Sequence, residues 1–196
     1  MCKDNCKVVF LDRDGTMNVE VNYLHRKEDL KLIDGTAEAI RLLNEDGYKV
    51  IVITNQAGVA RGYYTEADVK ILHDYMNEVL ERDGAHVDAF YYCPHHPEHG
   101  IGIYKKKCHC RKPETGMFEM AERDLTEGID KMHSYMIGDK LLDTEAGQKF
   151  GVTSILVGTG YGAELHKEQQ ENGEKPPYVH YAADLEQAAQ WILERK

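Results

Sequence analysis

The sequence lacks any apolar run near the roughly 20 residues that cross a bilayer. Its first residues, Met1-Cys2-Lys3-Asp4-Asn5, have none of the apolar character of a secretory signal. A cytoplasmic location with no membrane partner is expected. Basic charge is scarce: 24 Lys and Arg face 34 Asp and Glu, a formal net charge of -10. So acidic a chain is a poor partner for nucleic acid, whose backbone is bound by clustered Lys and Arg, and any phosphate group needs a local site. Cysteine is sparse and odd in number, at five, which speaks against a disulfide framework. Three of the five, Cys93, Cys108 and Cys110, crowd around one loop, which argues for metal binding. Cys2 and Cys6 are expected to be free, reduced thiols.

What is present is an alternation of patterns. Lys7 to Leu11 (KVVFL) is a short apolar run that stops at Asp-Arg-Asp-Gly, as a buried strand feeding a tight loop would. Thr36 to Asp46 carries apolar residues at Ala37, Ile40, Leu42 and Leu43 and stops near Gly47, which predicts a helix. Lys49 to Thr54 predicts a second buried strand, and Thr65 with Asp68 predicts an N-cap opening a helix toward Arg82. Val87 to Tyr92, Ser134 to Ile137 and Thr153 to Val157 read as strands, while Gly116 to Asp124, Leu142 to Phe150 and Leu185 to Glu194 read as helices. Such alternation implies an α/β fold with a doubly wound, mostly parallel sheet and ligands at the carboxyl ends of its strands. Two stretches break the pattern: Pro94 to Pro113, rich in His, Lys and Cys, and Gly158 to Pro177, polar with Gly and Pro. With 196 residues, no internal repeat and no clear linker, a single domain over 1–196, acting as a monomer, is expected.

The chemistry concentrates at the ends of the expected strands. Asp12 and Asp14, with one residue between them and followed by Gly15-Thr16, fall on the same side of an extended segment and can share one metal ion. Carboxylate and phosphoryl group are both anionic, so attack by one on the other calls for a bound Mg²⁺ to offset the repulsion. Gly15 lets backbone N–H groups come close to phosphate oxygens. Taken alone, Asp-x-Asp-Gly is more often a turn with solvated acids; the apolar strand before it and the matching strand ends downstream favour the functional reading. Those ends are Thr54-Asn55-Gln56, Arg111-Lys112-Pro113 and Met136-Ile137-Gly138-Asp139-Lys140, with Asp143 beyond. A Thr at a strand end is by itself often a backbone cap. Lys112 and Arg111 supply cations where phosphoryl transfer accumulates negative charge. For Asp143, a helix N-terminal charge favoured by the macrodipole is the preferred reading, with a role behind the metal site left open.

Cys93-x-His95 followed by Cys108-x-Cys110 offers three thiolates and one imidazole, a closed set suited to a structural, tetrahedral Zn²⁺. His96, His99 and His109 are competing ligands. A zinc knot would rigidify a long loop that has little apolar residue content and would fix Arg111 and Lys112 in place.

The string Val9-Phe10-Leu11-Asp12-Arg13-Asp14-Gly15-Thr16, with the three later strand ends, resembles the four motifs of the haloacid dehalogenase superfamily. The resemblance implies a Rossmannoid core with Asp12 as nucleophile, Asp14 as general acid and base, Thr54 and Lys112 on the transferring phosphoryl group, and Mg²⁺ held by Asp12, Asp139 and the backbone carbonyl of Asp14. No separate cap domain fits between the motifs. The zinc loop, Tyr91-Tyr92-Cys93-Pro94-His95-His96-Pro97 and Thr54-Asn55-Gln56-Ala57-Gly58-Val59-Ala60-Arg61-Gly62 are similar to the heptose-1,7-bisphosphate 7-phosphatase family. That likeness implies a sugar bisphosphate substrate contacted by Glu20, Val21, Asn22, Tyr23, Asn55, Gln56, Arg111 and Lys140. The family pattern is Asp, His, Gly where this chain has Glu20, Val21 and Asn22. Histidinol-phosphate phosphatases share the Asp-x-Asp motif and the zinc loop. A non-catalytic phosphometabolite binder or phosphoacceptor is the reading of a different class, and Asp14, which only turnover requires, argues against it.

Overall fold

A computed structural model describes residues 5–173 and 175–195; Cys2 lies outside them. The run after Lys7 forms strand β1 (Val8–Leu11), with all four residues buried. Successive side chains of a strand point to opposite faces, and here both faces are covered. Val9 and Leu11 enter one core, built with helices α1 (Thr36–Glu45), α3 (Glu66–Glu81), which follows the single turn α2 (Ala57–Ala60), and α7 (Leu185–Leu193). Val8 and Phe10 enter the other, built with α4 (Gly116–Asp124) and α5 (Leu141–Phe150). A strand covered on both faces has no polar side, which is why KVVFL shows no alternation.

The remaining strands are β2 (Lys49–Asn55), β3 (Ala89–Cys93), β4 (Tyr135–Gly138), β5 (Thr153–Val157) and β6 (His180–Ala182). They form one sheet in the order β3-β2-β1-β4-β5-β6, with every pairing parallel. The chain builds outward from β1 on one side, then crosses to β4 on the other. The crevice at this reversal is where doubly wound sheets bind ligands. Register completes the placement: Leu11 lies beside Val52 and Ile137, so Asp12, Thr54 and Asp139 emerge together at the carboxyl edge. Among the described residues no second domain is inserted between Asp12 and Lys112, and no helix is long and apolar enough to cross a membrane.

Thr65 and Asp68 form the expected capping box at α3: the Asp68 N–H donates to Thr65 Oγ1 at 3.2 Å and the Thr65 N–H donates to Asp68 Oδ2 at 2.8 Å. Gly158 to Pro177 departs from expectation, because helix α6 (Gly162–Asn172) fills most of it and leads into β6, continuing the alternation. Of α6 only Gly162 is buried, so the segment carries no apolar stripe by which a helix is read. Strand β6, at three residues, is too short to show a period. The Pro94 to Pro113 stretch is irregular apart from a single short turn at Gly102–Tyr104.

Phe10 anchors the second core: its ring lies 4.7 Å from Phe118 and 5.9 Å from Phe150, which in turn lie 4.9 Å apart. Phe10→Ala leaves a cavity beneath the strand that carries Asp12 and is expected to cost about 3–5 kcal/mol. Urea denaturation should show the midpoint falling with the slope unchanged.

Candidate active site

A cleft of about 280 Å³ opens at the carboxyl edge of β1, β2 and β4, lined among others by Asp12, Asp14, Thr54, Lys112, Lys140 and Asp143. Asp12 directly follows β1, and its backbone N–H donates to the Ile137 carbonyl at 2.9 Å. Lys112, 2% exposed, places Nζ 2.7 Å from Asp12 Oδ1, 2.7 Å from Asp143 Oδ1 and 2.8 Å from the Ile53 carbonyl. Burial alone would lower the Lys112 pKa, but Asp12 and Asp143 outweigh it, so the ammonium stays charged. Lys140 is likewise raised against burial, by Asp12, Asp139, Glu20 and Asp143; it lies 3.2 Å from Glu20 and 3.7 Å from Asp139.

Asp12, Asp139 and Asp143 each offer a carboxylate oxygen to one small volume, these atoms lying within 4.8 Å of one another. Burial and the Asp12 charge raise Asp139 to about 7 and Asp143 to about 6, against the opposing pull of Lys140 and Lys112. Asp139 Oδ1 is buried with no hydrogen-bond partner among the described residues, while Oδ2 accepts the Tyr161 N–H at 3.1 Å. A Cβ at Gly15 or Gly160, both at positive φ, would come within 2.3 or 2.1 Å of Asp139 Oδ2, so two glycines make room for this carboxylate. A buried cluster of hard oxygen donors, with excess negative charge and one oxygen unsatisfied, fits Mg²⁺.

The Asp14 carboxylate points elsewhere. It accepts from Arg13 Nη2 at 2.8 and 2.9 Å, from Asn18 Nδ2 at 3.1 Å and from Gln56 Nε2 at 3.0 Å. Burial works to raise its pKa, but Arg13 and these hydrogen bonds prevail and lower it. Arg13 itself is fully buried.

The loop after β3 closes on itself through sulfur. Cys93 Sγ lies 3.5 Å from Cys108 Sγ and 3.2 Å from Cys110 Sγ, and the latter two are 3.2 Å apart. His95 Nδ1 lies 3.7 Å from Cys93 Sγ and 3.3 Å from Cys110 Sγ. Ligands on a zinc ion at Zn–S of about 2.3 Å sit a little under 4 Å apart in a tetrahedron, so this set fits Zn²⁺ with modest adjustment. Hydrogen bonding from Cys93, Cys108 and His95 lowers the Cys110 pKa, while hydrogen bonding to Cys110 and burial raise those of Cys93 and Cys108, so the thiolate charge settles on Cys110. Two of the competing histidines are engaged otherwise: His96 Nδ1 accepts the N–H groups of Glu98 and His99, at 3.2 and 3.0 Å, and His109 Nε2 meets Glu119 at 2.9 Å.

Comparison with known proteins agrees with this geometry. Residues 109–188 match the family model described as HAD-hydrolase-like. A D-glycero-beta-D-manno-heptose-1,7-bisphosphate 7-phosphatase of Haemophilus ducreyi is 47% identical over 79% of this chain and 84% of its own. One from Chlorobaculum tepidum, named without the anomer, is 43% identical over 86% of each chain. The chain belongs to the D-glycero-D-manno-heptose-1,7-bisphosphate 7-phosphatase family of the haloacid dehalogenase superfamily. A solved structure of the same kind, the D,D-heptose 1,7-bisphosphate phosphatase of B. bronchiseptica complexed with magnesium and phosphate, superposes with a TM-score of 0.82 at 31% identity, covering 97% of this chain and 99% of that one.

Several residues expected at the site of this phosphatase family are placed differently. Val21 is 37% exposed and does not line the cleft, whereas Glu20, Asn22 and Tyr23 do. Asn55 spends its amide on the Lys112 backbone, accepting its N–H at 3.1 Å and donating to its carbonyl at 3.2 Å. Gln56 is 2% exposed and its amide is wholly engaged by neighbours in the protein. Both residues line the cleft, but with their side-chain amides already spent on protein partners. The Asp14 carboxylate, expected to share the metal with that of Asp12, is drawn away by Arg13. Asp143, read from sequence chiefly as a helix charge, does accept the Lys140 N–H at 3.1 Å at the start of α5; its other oxygen meets Lys112 inside the cleft, so it belongs to the site. Lys140, expected to contact substrate, lines the cleft and pairs there with Glu20. Arg111 lines the cleft and donates to the His95 carbonyl at 3.2 Å. Arg13 and Tyr64 went unnoticed in the sequence; the only hint was a cation set between two acids.

The zinc knot lies two residues before Lys112, so Cys110→Ser should disturb both. Zinc measured by plasma emission is expected to fall from about one ion per chain to near zero, with a lower Tm and a reduced kcat.

Proposed function

We infer that this protein is a magnesium-dependent phosphatase that removes the 7-phosphate of D-glycero-D-manno-heptose 1,7-bisphosphate through an aspartyl-phosphate on Asp12. The observation that carries this is the placement of Asp12 at the floor of the cleft, 2.7 Å from a buried lysine ammonium and beside Asp139 and Asp143, in a chain of that family. The β anomer is the expected substrate, since the similar Haemophilus, Photorhabdus and Vibrio proteins carry that name.

Magnesium, held by Asp12, Asp139 and the backbone carbonyl of Asp14, with Asp143 alongside, supplies positive charge that offsets the repulsion between carboxylate and phosphate. The Thr54 hydroxyl donates to an equatorial oxygen, and the Lys112 charge, fixed by Asp12, Asp143 and the Ile53 carbonyl, lies beside the place where charge gathers in the transfer. An Asp12 oxygen forms a bond to phosphorus as the bond from phosphorus to the sugar oxygen breaks, and Asp14 gives its proton to that leaving oxygen. Asp14, now a carboxylate, takes a proton from water as the water oxygen attacks the phosphorus and the bond to Asp12 breaks, releasing phosphate. Against burial, Arg13 and the hydrogen bonds from Asn18 and Gln56 favour the ionised form of Asp14; an incoming phosphate dianion raises its proton affinity. Arg111, Lys140, Glu20, Asn22 and Tyr23 ring the mouth of the cleft, where cations suit the second phosphate and polar groups suit sugar hydroxyls. The product, a heptose 1-phosphate, is suited to nucleotide activation. Three thiols kept reduced for zinc suit the cytoplasm.

Phosphate release with Mg²⁺ should favour β-heptose 1,7-bisphosphate over the α anomer and over histidinol phosphate, and a chelator should abolish it. Preference for histidinol phosphate would overturn the substrate assignment. Asp14→Asn should lower kcat by about 10²- to 10⁴-fold while calorimetric Mg²⁺ binding persists.

A further inference from the structure

Beneath the cleft lies a polar network whose hydrogen-bond directions can be deduced. Arg13 is fully buried and carries only donors, because a guanidinium has no acceptor. Whatever faces it must therefore present a lone pair. The Gln56 side-chain atom 3.2 Å from Arg13 Nη2 is thus the amide oxygen, and Tyr64 donates to the same atom at 2.7 Å. The amide nitrogen must then point the other way. It lies 3.0 Å from Asp14 Oδ2 and 2.9 Å from Thr54 Oγ1, so its two protons go to those two oxygens. The His73 Nε2, 3.3 Å from Arg13 Nη1, is by the same argument a lone pair. That ring is neutral, in keeping with burial and the Arg13 charge holding its pKa down near 3.

This fixes the direction of one proton that matters. Thr54 Oγ1 receives a hydrogen bond from Gln56, and its own proton has no acceptor among the described residues. It is free to donate into the cleft that Thr54 lines. Were the Gln56 amide reversed, its oxygen would face the Asp14 carboxylate, and Thr54 would turn its proton to that oxygen instead. Tyr64 opposes the reversal and is itself held firmly. Its ring crosses Gly58 so closely that a Cβ there would lie 2.2 Å from Tyr64 Cε1. His25 stacks on the ring, with centroids 5.1 Å apart and planes 14° apart. Arg13, meanwhile, grips the same Asp14 that Gln56 holds, through Nη2 and through Nε at 3.2 Å.

We propose that Gln56 is a positioning residue for phosphoryl transfer: oriented by Arg13 and Tyr64, its amide holds the Asp14 carboxylate in place and turns the Thr54 hydroxyl proton toward the phosphoryl group. The proposal rests on the roles of Asp14 and Thr54 inferred above. Both protons of the Gln56 amide are spent on Asp14 and Thr54, so it acts through those two residues.

Gln56→Glu is the test, since it keeps the shape and the acceptor facing Arg13 but replaces the donor facing Asp14 and Thr54 with a second carboxylate oxygen. With heptose 1,7-bisphosphate, kcat is expected to fall about 10²-fold while KM stays within about 3-fold, as for an interaction that matters in the transition state. With p-nitrophenyl phosphate, whose leaving group departs with little help from an acid, the loss should be distinctly smaller. Tyr64→Phe removes one hydroxyl and keeps the ring, and should show the same substrate dependence with a loss of about 3- to 10-fold; it carries the test if Gln56→Glu does not fold. Equal losses with both substrates, together with a lowered Tm, would mark a structural role and overturn the proposal, as would a kcat within about 3-fold of wild type for both variants. Asp14→Asn measured alongside separates the two inferences. If that variant is inactive while both others turn over normally, the positioning role alone fails; if it too turns over normally, the role of Asp14 fails and the proposal with it.

Discussion

An ammonium group almost out of reach of water sits at the centre of this protein. Lys112 Nζ has three protons and three near acceptors: the Asp12 and Asp143 carboxylates and the Ile53 carbonyl. Burying such a charge costs several kcal/mol unless its partners are in place, and deleting one partner of a buried pair costs about 3–5 kcal/mol. The three side chains therefore depend on one another. Because Asp12 follows β1, Asp143 lies on α5 after β4 and Lys112 lies in the loop after β3, that dependence also ties together the two halves of the sheet.

The surroundings of Lys112 show how a lysine on a long loop is brought to so exact a position. The segment from Pro94 to Pro113 has little regular structure, yet Cys93, His95, Cys108 and Cys110 gather its two ends into a set that fits zinc. Asn55, at the end of β2, then grips the Lys112 backbone through both amide atoms. A structural metal site and a side-chain clamp do for this loop what a hydrophobic core does elsewhere. Arg111 reaches back to the His95 carbonyl, so the cations of the cleft are fixed relative to the knot.

Charge is divided within the cleft. Asp12, Asp139 and Asp143 crowd where a divalent cation fits, and burial together with the Asp12 charge raises the pKa values of Asp139 and Asp143. Asp14 is drawn away from that group by Arg13, Asn18 and Gln56. Two carboxylates only two residues apart thus occupy different environments, one beside the metal site and the other in a hydrogen-bonded cradle, as a nucleophile and a proton carrier require.

Much of this was legible in the chain. Buried strands show as apolar runs, chemistry-bearing residues follow them directly, and Cys-x-His with Cys-x-Cys names a metal by ligand type alone; each of these signals is local. Helix α6 was not legible, because an exposed helix has no apolar stripe, nor was β6, which is too short for a period. Partner choice was beyond the sequence as well. Nothing local indicates that Asn55 and Gln56 spend their amides inside the protein, that Val21 faces away from the cleft, that Asp143 looks inward as well as capping a helix, or that Arg13 is buried. The sequence by itself determined which elements form and which reactive groups stand at their ends, since both follow from periodicity and short-range spacing. Only the tertiary structure decided which of those groups meet, because hydrogen bonds and ion pairs such as Lys112 with Asp12, 100 residues apart, depend on how the parallel strands come into register.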